Sequence, residues 1–136
     1  MRLRKRPIAV VSAFIRRNKK YLLVYDPRFN FWRVPGGRLV FNERAEEALK
    51  REMKEELNIG LEVGSFLGFG QDIVSRGKRS GSRIILYFEC KVTDGKLKTK
   101  AKDEISKTRW LTEEEIKKIG KLEPAMRDFF LRSKKI

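Results

Sequence analysis

From residue 44 to residue 57 the apolar side chains Ala45, Ala48, Leu49, Met53 and Leu57 recur at helical spacing, and every position between them is charged. Such a stripe predicts an amphipathic helix that needs an apolar surface to cover its one oily face. Asn58 is expected to end it, because asparagine tolerates the left-handed conformation found just past a helix terminus. Strand-like runs at 8–15, 21–25, 61–74 and 83–92 offer the surface, with weaker ones near Leu39 and Trp110 and with Gly64, Gly68 and Gly70 interrupting the third. The first two runs flank a short polar RRNKK stretch and read as a hairpin. Thr112 with Glu115 three positions later forms the pattern of a capping box, and Pro124 suits the first turn of a further helix carrying Met126, Phe129 and Phe130. Strands with interspersed helices point to an α+β protein or a mixed sheet sandwiched by helices.

At 136 residues the sequence is expected to form one domain over 1–136, and with 40% apolar residues it can build a real core. Lys and Arg number 33 against 18 Asp and Glu, so the net charge of +15 draws polyanions: nucleotides, nucleic acid or an anionic membrane face. No apolar run approaches the ~18 residues of a membrane span, and the basic start followed by AVVSAFI breaks at Arg16 and Arg17. The expectation is a cytoplasmic enzyme or binding protein with no membrane partner. Cys90 is the single cysteine and histidine is absent, which excludes an internal disulfide framework and leaves almost no soft ligands for zinc. Any metal site must be built from oxygen.

Six of the 18 acids crowd into fourteen residues: Glu43, Glu46, Glu47, Glu52, Glu55 and Glu56. Glu52, Glu55 and Glu56 stand three or four apart at one helical end, where like charges cost about 0.2–0.5 kcal/mol per pair. They also lie near the C-terminus, the unfavourable end of the helix dipole for anions. A divalent cation would convert that repulsion into coordination, and hard oxygen ligands select Mg²⁺ or Mn²⁺. A solvated face neutralised by Lys50, Arg51 and Lys54 is the competing reading. The equally dense Glu113, Glu114 and Glu115 sit instead in a first helical turn, where dipole and capping box favour them.

Upstream, WRVPGG sets a tryptophan, a rigid proline and paired glycines before the helix, and paired glycines let backbone approach a metal or phosphate. Gly37, five residues, Glu43, seven residues, then Arg51-Glu52-Met53-Lys54-Glu55-Glu56-Leu57-Asn58-Ile59 resembles the signature box of the Nudix (MutT-type) hydrolases. Asn58 stands where that family has glycine, and Arg44 where it commonly has a capping Ser or Thr, a role open here to Asn42. The WRVPGG lead-in and Trp110-Leu111-Thr112 followed by acids extend the resemblance across most of the sequence.

The resemblance implies an α/β/α sandwich with a mixed β-sheet between helices, and hydrolysis of nucleoside diphosphates linked to some other moiety. It further implies that Glu52 and Glu56 are metal ligands, Glu55 a ligand directly or through water, and the Gly36 carbonyl another. Gly37, Glu43 and Arg51 resemble the supporting residues that orient the loop around the catalytic helix. For the general base the resemblance leaves Glu52, Glu55 and Glu104. Arg33 and Arg38, flanking the glycines, are candidate phosphate-binding residues, as are Arg76, Lys78 and Arg79 in the basic stretch 75–83, which reads as a flexible hairpin loop. The family's branch that attacks at carbon uses a histidine and a depleted box, so the resemblance, with an intact glutamate set and no histidine, implies attack at phosphorus.

Nucleoside triphosphates, NDP-sugars and 5′-triphosphorylated or capped RNA remain as substrates. A silent nucleotide- or RNA-binding protein of the same fold would have little reason to keep all of Glu52, Glu55 and Glu56. An unrelated basic nucleic-acid module would carry a charged, aromatic-interleaved stripe, which no helix here shows. RNA is a candidate partner nonetheless, since eight basic residues and no acid occupy the first twenty positions. Many members of the family dimerise, and a homodimer is a further expectation.

Overall fold

Strand β1 (Ile8–Arg17) organises the protein, because it is apolar on both faces and bonded along both edges. Val10 and Phe14 point to one side, and Val11, Ala13 and Ile15 to the other. A strand buried on both sides reads as a continuous apolar run, which is how it appears in the sequence. The structure is a computed structural model and describes residues 6–99 and 107–133. The remaining elements follow in order: β2 (Lys20–Asp26), β3 (Phe31–Arg33), β4 (Gly36–Arg38), α1 (Ala45–Leu57), β5 (Ile59–Arg76), β6 (Arg79–Gly95), β7 (Lys107–Thr112), α2 (Glu113–Lys117) and α3 (Pro124–Ser133).

β6 lies parallel to β1, while β4 and β2 pair antiparallel with opposite ends of its other edge. β5 completes one flank beyond β6, and β3 and β7 border β2, giving a mixed seven-stranded sheet. α1 covers one face with Ala48, Leu49, Met53 and Leu57 against Val11, Ala13, Ile15, Leu22 and Val24. α3 covers the other with Met126, Phe129 and Phe130 against Phe14, Leu23, Ile85 and Tyr87, joined by Ile116 of α2. Each large side chain withdrawn from water in these two layers contributes about 1.5–3 kcal/mol. The architecture is the expected α/β/α sandwich. Among the described residues no helix is long and apolar enough to cross a membrane.

Helix α1 runs almost as its periodicity predicts, ending at Asn58 in the left-handed conformation (φ 60°, ψ 35°). Its start differs from expectation, because Asn42 does not cap it. Asn42 adopts φ 65° in the preceding loop, and Glu47 reaches back to accept the Arg44 N–H at 3.0 Å. The Thr112 box forms in full, with reciprocal bonds to Glu115 of 3.2 and 2.9 Å.

Three readings of the sequence need correction. The stretch 75–83 is not a loose loop: β5 and β6 stay paired through Arg76 and Arg79, leaving a two-residue turn in which Gly77 takes φ 63°. Register shifts near Leu61, Phe66 and Gly68 let β5 run on through the glycines that seemed to break it. The weak strand signal near Leu39 belongs one step earlier, to β4, because it is Gly36–Arg38 that pairs with Val10–Ser12.

Candidate active site

The pairing of β4 with the start of β1 brings Gly36 and Gly37 beside the last turns of α1. A Cβ built on Gly37 would stand 2.5 Å from Glu52 Cγ and closer still to the carboxylate. Glycine at 37 is therefore what allows Glu52 its position. At Gly36 a Cβ would instead overlap the Val11 carbonyl and lie 2.8 Å from Ser12 Cα, so there the demand is strand packing. Glu56 is only 6% exposed, a carboxylate on the helix face otherwise occupied by Ala48, Leu49, Met53 and Leu57.

Arg51 ties these groups together. Its Nε and Nη2 donate to Glu43 at 2.6 and 2.9 Å, its Nη1 donates to Glu52 at 2.8 Å and to Glu55 at 3.4 Å, and Nη2 also reaches the Arg38 carbonyl at 3.3 Å. The hydrogen bond from Arg51 holds the Glu43 carboxyl below its ordinary range, and the Glu43 bond in turn raises Arg51. The like-charge cost at this helix end is thus relieved in part by a cation already in the chain. Among the described residues no three acidic side chains are gathered into a metal cluster, with Glu52 and Glu55 turned toward Arg51. The donor set nevertheless suits a hard divalent ion. It consists of three carboxylates within about one turn and the Gly36 backbone nearby, with the missing side chain at Gly37 leaving room for the Glu52 carboxylate.

A cavity of about 360 Å³ opens against the other side of the same glycines. Its wall includes six arginines, Arg28, Arg33, Arg38, Arg76, Arg79 and Arg83, together with Phe29 and Glu123. The arginines do not play one part. Arg33 is buried and donates from Nε to Asp26 at 3.0 Å and from Nη1 to the Val34 carbonyl at 3.3 Å. Arg83 grips Asp72 with two bonds of 2.9 and 2.6 Å and reaches Glu123 at 3.0 Å, while Tyr87 OH donates to the same Glu123 at 3.2 Å. Arg38, Arg76 and Arg79 form no salt bridge among the described residues and present their charge to the cavity.

Burial dominates Glu123 and pushes its pKa up, with the charges of Arg83 and Arg33 pulling the other way and Asp72 adding to the rise. Asp26 is also driven upward by burial, but the Arg28 hydrogen bond and the Arg33 charge outweigh it and leave the pKa lowered. Burial pushes the Cys90 thiol up to about 12, which removes it as a nucleophile.

Of the residues singled out from sequence, Glu43, Arg51, Glu52 and Glu55 are joined by hydrogen bonds, Gly37 packs on Glu52, Glu56 is buried on the same helix and Gly36 packs on β1, while Arg33, Arg38, Arg76 and Arg79 line the cavity together with both glycines. Lys78 sits in the turn, exposed and outside the cavity wall. Glu104 lies outside the described residues. Arg28, Phe29 and Glu123 escaped the sequence reading; only the Pro124 helix signal, which makes Glu123 the residue before that helix, could have drawn attention to one of them.

A model of the NUDIX domain matches residues 5–132. The sequence is 28% identical over 109 residues to a MutT-like protein of Streptomyces ambofaciens, an alignment that covers 80% of this chain and 66% of that protein. It is 38% identical over 72 residues to the CTP pyrophosphohydrolase of Escherichia coli (strain K12), covering 50% of this chain and 53% of the relative. The chain thus spans about half to two thirds of the length of these curated relatives. In three dimensions it matches the crystal structure of the MutT protein from Methanosarcina mazei Go1 with a TM-score of 0.80 at 26% identity, over 98% of this chain and 97% of that one.

Proposed function

The chain belongs to the NUDIX domain family, and from that premise we propose that it is a Mg²⁺- or Mn²⁺-dependent pyrophosphohydrolase. Its substrate is a nucleoside diphosphate linked to another group, a nucleoside triphosphate or NDP-sugar, cleaved by attack of water at phosphorus. The observation that carries this reading is a cavity walled by arginines that opens against the two glycines beside the Glu52 carboxylate. A phosphate chain needs cationic donors along its length and an acidic, metal-capable centre at the bond to be broken, and these features adjoin here.

Glu52, Glu55, Glu56 and the Gly36 carbonyl would hold the divalent ion. Once bound, the ion supplies charge neutralisation at the phosphate oxygens and activation of the attacking water. The residues of the chain do the rest. Arg38, Arg76 and Arg79 donate charge-assisted hydrogen bonds to the phosphates. Arg33 and Arg83, held by Asp26, Asp72 and Glu123, shape the wall and its field. Arg51 clamps Glu43 and keeps the loop over the helix end. Glu52 or Glu55 accepts the proton of the attacking water, with Glu104 a third candidate.

A silent sensor of the same fold would place no demand on a Cβ-free position beside Glu52, and this favours an enzyme over that alternative. The E. coli relative named CTP pyrophosphohydrolase supports the triphosphate class over NDP-sugars. The test is a panel of nucleoside triphosphates, NDP-sugars and 5′-triphosphorylated RNA with Mg²⁺, with products identified. Release of a nucleoside monophosphate and pyrophosphate from a triphosphate is the expected result. Turnover confined to the RNA would replace the small-nucleotide reading.

A further inference from the structure

The tight turn between β1 and β2 has a consequence at the end of the sheet remote from the cavity. Arg17 pairs with Lys20 across a two-residue turn, and Asn18 takes φ 57° to close it. Arg16, Arg17, Lys19 and Lys20 are thereby packed into one exposed corner, and Lys91 of β6 borders the same surface. Trp110 of β7 is half-buried at the centre, with the Arg17 guanidinium 4.4 Å above its ring. Two shallow hollows of about 480 and 440 Å³ meet at Arg17, Asn18 and Trp110.

The charge of this corner is largely unneutralised. Arg17, Lys19, Lys20 and Lys91 form no salt bridge among the described residues, and Arg16 meets Glu89 only at 3.5 Å with both side chains partly exposed. Of the acids of the neighbouring helix, Glu113 holds Lys117 at 2.9 Å, while Glu115 accepts the Thr112 N–H at 2.9 Å and also feels the charge of Lys20, so Lys20 is the member of the corner whose charge is partly offset.

We propose that this corner is a docking surface for single-stranded RNA. It combines cations that follow a phosphate backbone with an aromatic and guanidinium plane on which an unpaired base can stack. Asn18, at the meeting point of the hollows, supplies a neutral hydrogen-bonding group of the kind a ribose 2′-hydroxyl uses. An anionic membrane is a poorer occupant, because Trp110 lies beneath Arg17 and no apolar side chain protrudes for insertion. An acidic protein would use the cations and leave the stacking plane idle. Along β1 the cavity wall ends at Ser12 and the corner begins at Arg16, roughly 13 Å further on by the rise per residue, and the two share no lining residue. The corner is thus separate from the nucleotide site and independent of the hydrolase reading.

The experiment is fluorescence anisotropy of a labelled 12-nucleotide unstructured RNA with a 5′-hydroxyl, titrated with the protein at several salt concentrations. Trp110→Ala should weaken binding by about 5- to 100-fold, the range typical of one stacked base. Because Trp110 also packs against the core, a second variant carries Arg17→Gln, Lys19→Gln and Lys20→Gln at exposed positions. It should bind weakly, with the log–log salt slope reduced by about 2, and should hydrolyse CTP at the wild-type rate. Arg76→Gln with Arg79→Gln should keep most of the RNA affinity. The proposal is overturned if the triple variant binds like wild type while the cavity variant loses the RNA. Equal binding of a DNA 12-mer of the same sequence, or Trp110-dependent capture by phosphatidylserine vesicles, would also overturn it.

Discussion

The side chain of Glu52 fills the space that a Cβ on Gly37 would need, with its Cγ 2.5 Å from that position. Gly37→Ala therefore has to displace the carboxylate. Because the displaced atoms are the far end of a flexible side chain, stability should change by less than about 1 kcal/mol, whereas hydrolysis should fall at least ~100-fold. Gly36→Ala meets strand backbone instead and should cost about 1–3 kcal/mol. Urea melts and kcat for both variants check this. A Gly37→Ala enzyme with normal kcat would separate Glu52 from the chemistry.

Arg76 and Arg79 reach the cavity from the paired ends of β5 and β6, while Lys78 between them does not. Neutralising each arginine to Gln should raise KM about tenfold with kcat little changed, since each removes one charge-assisted contact to phosphate. Lys78→Gln should leave both constants unaltered. Equal losses at all three positions would mean that general charge attraction, and not contact, draws the substrate.

Glu123 links pH to stability. Its folded pKa is raised, so the native state holds the proton more tightly than the unfolded chain. That contribution is complete below the unfolded glutamate value of about 4.3 and is lost as pH rises through the folded pKa. Asp26 and Asp128, both lowered, behave in the opposite sense and lose their contribution as pH falls through their folded values. Glu123→Gln should therefore abolish the decline that sets in above the unfolded glutamate value and leave the acid limb in place. Denaturant titrations from pH 2 to 8 measure this, and parallel profiles for the two proteins would contradict it.

The parts of the molecule legible in the sequence are those set by near neighbours. The apolar spacing from Ala45 to Leu57, the left-handed stop at Asn58 and the Thr112–Glu115 box each depend on residues a few positions apart, and each appears as expected. The crowding of Glu52, Glu55 and Glu56 along one helix was visible for the same reason. What Arg51 does with it was less so, because its bonds to Glu43 and to the Arg38 carbonyl depend on how the loop folds back. Phe29, Arg28 and Glu123 converge on the cavity from a loop and a helix end far apart in sequence, and no local pattern marks that meeting. The 75–83 stretch was misread because its Gly, Ser and basic residues look like a loop, while cross-strand pairing holds all but two of them in β5 and β6.

Steady-state hydrolysis of CTP across a Mg²⁺ titration, with wild type and Glu56→Gln side by side, tests the account most directly. Glu56 is buried on the helix, and its amide analogue keeps the shape while weakening any bond to a cation. The account predicts Mg²⁺-saturable turnover by wild type, a loss of at least ~100-fold in kcat for the variant at saturating Mg²⁺, and closely similar folded-state spectra. A Glu56→Gln protein that turns over at near wild-type kcat, or a wild type indifferent to Mg²⁺, would contradict the assignment of this helix end as the catalytic centre.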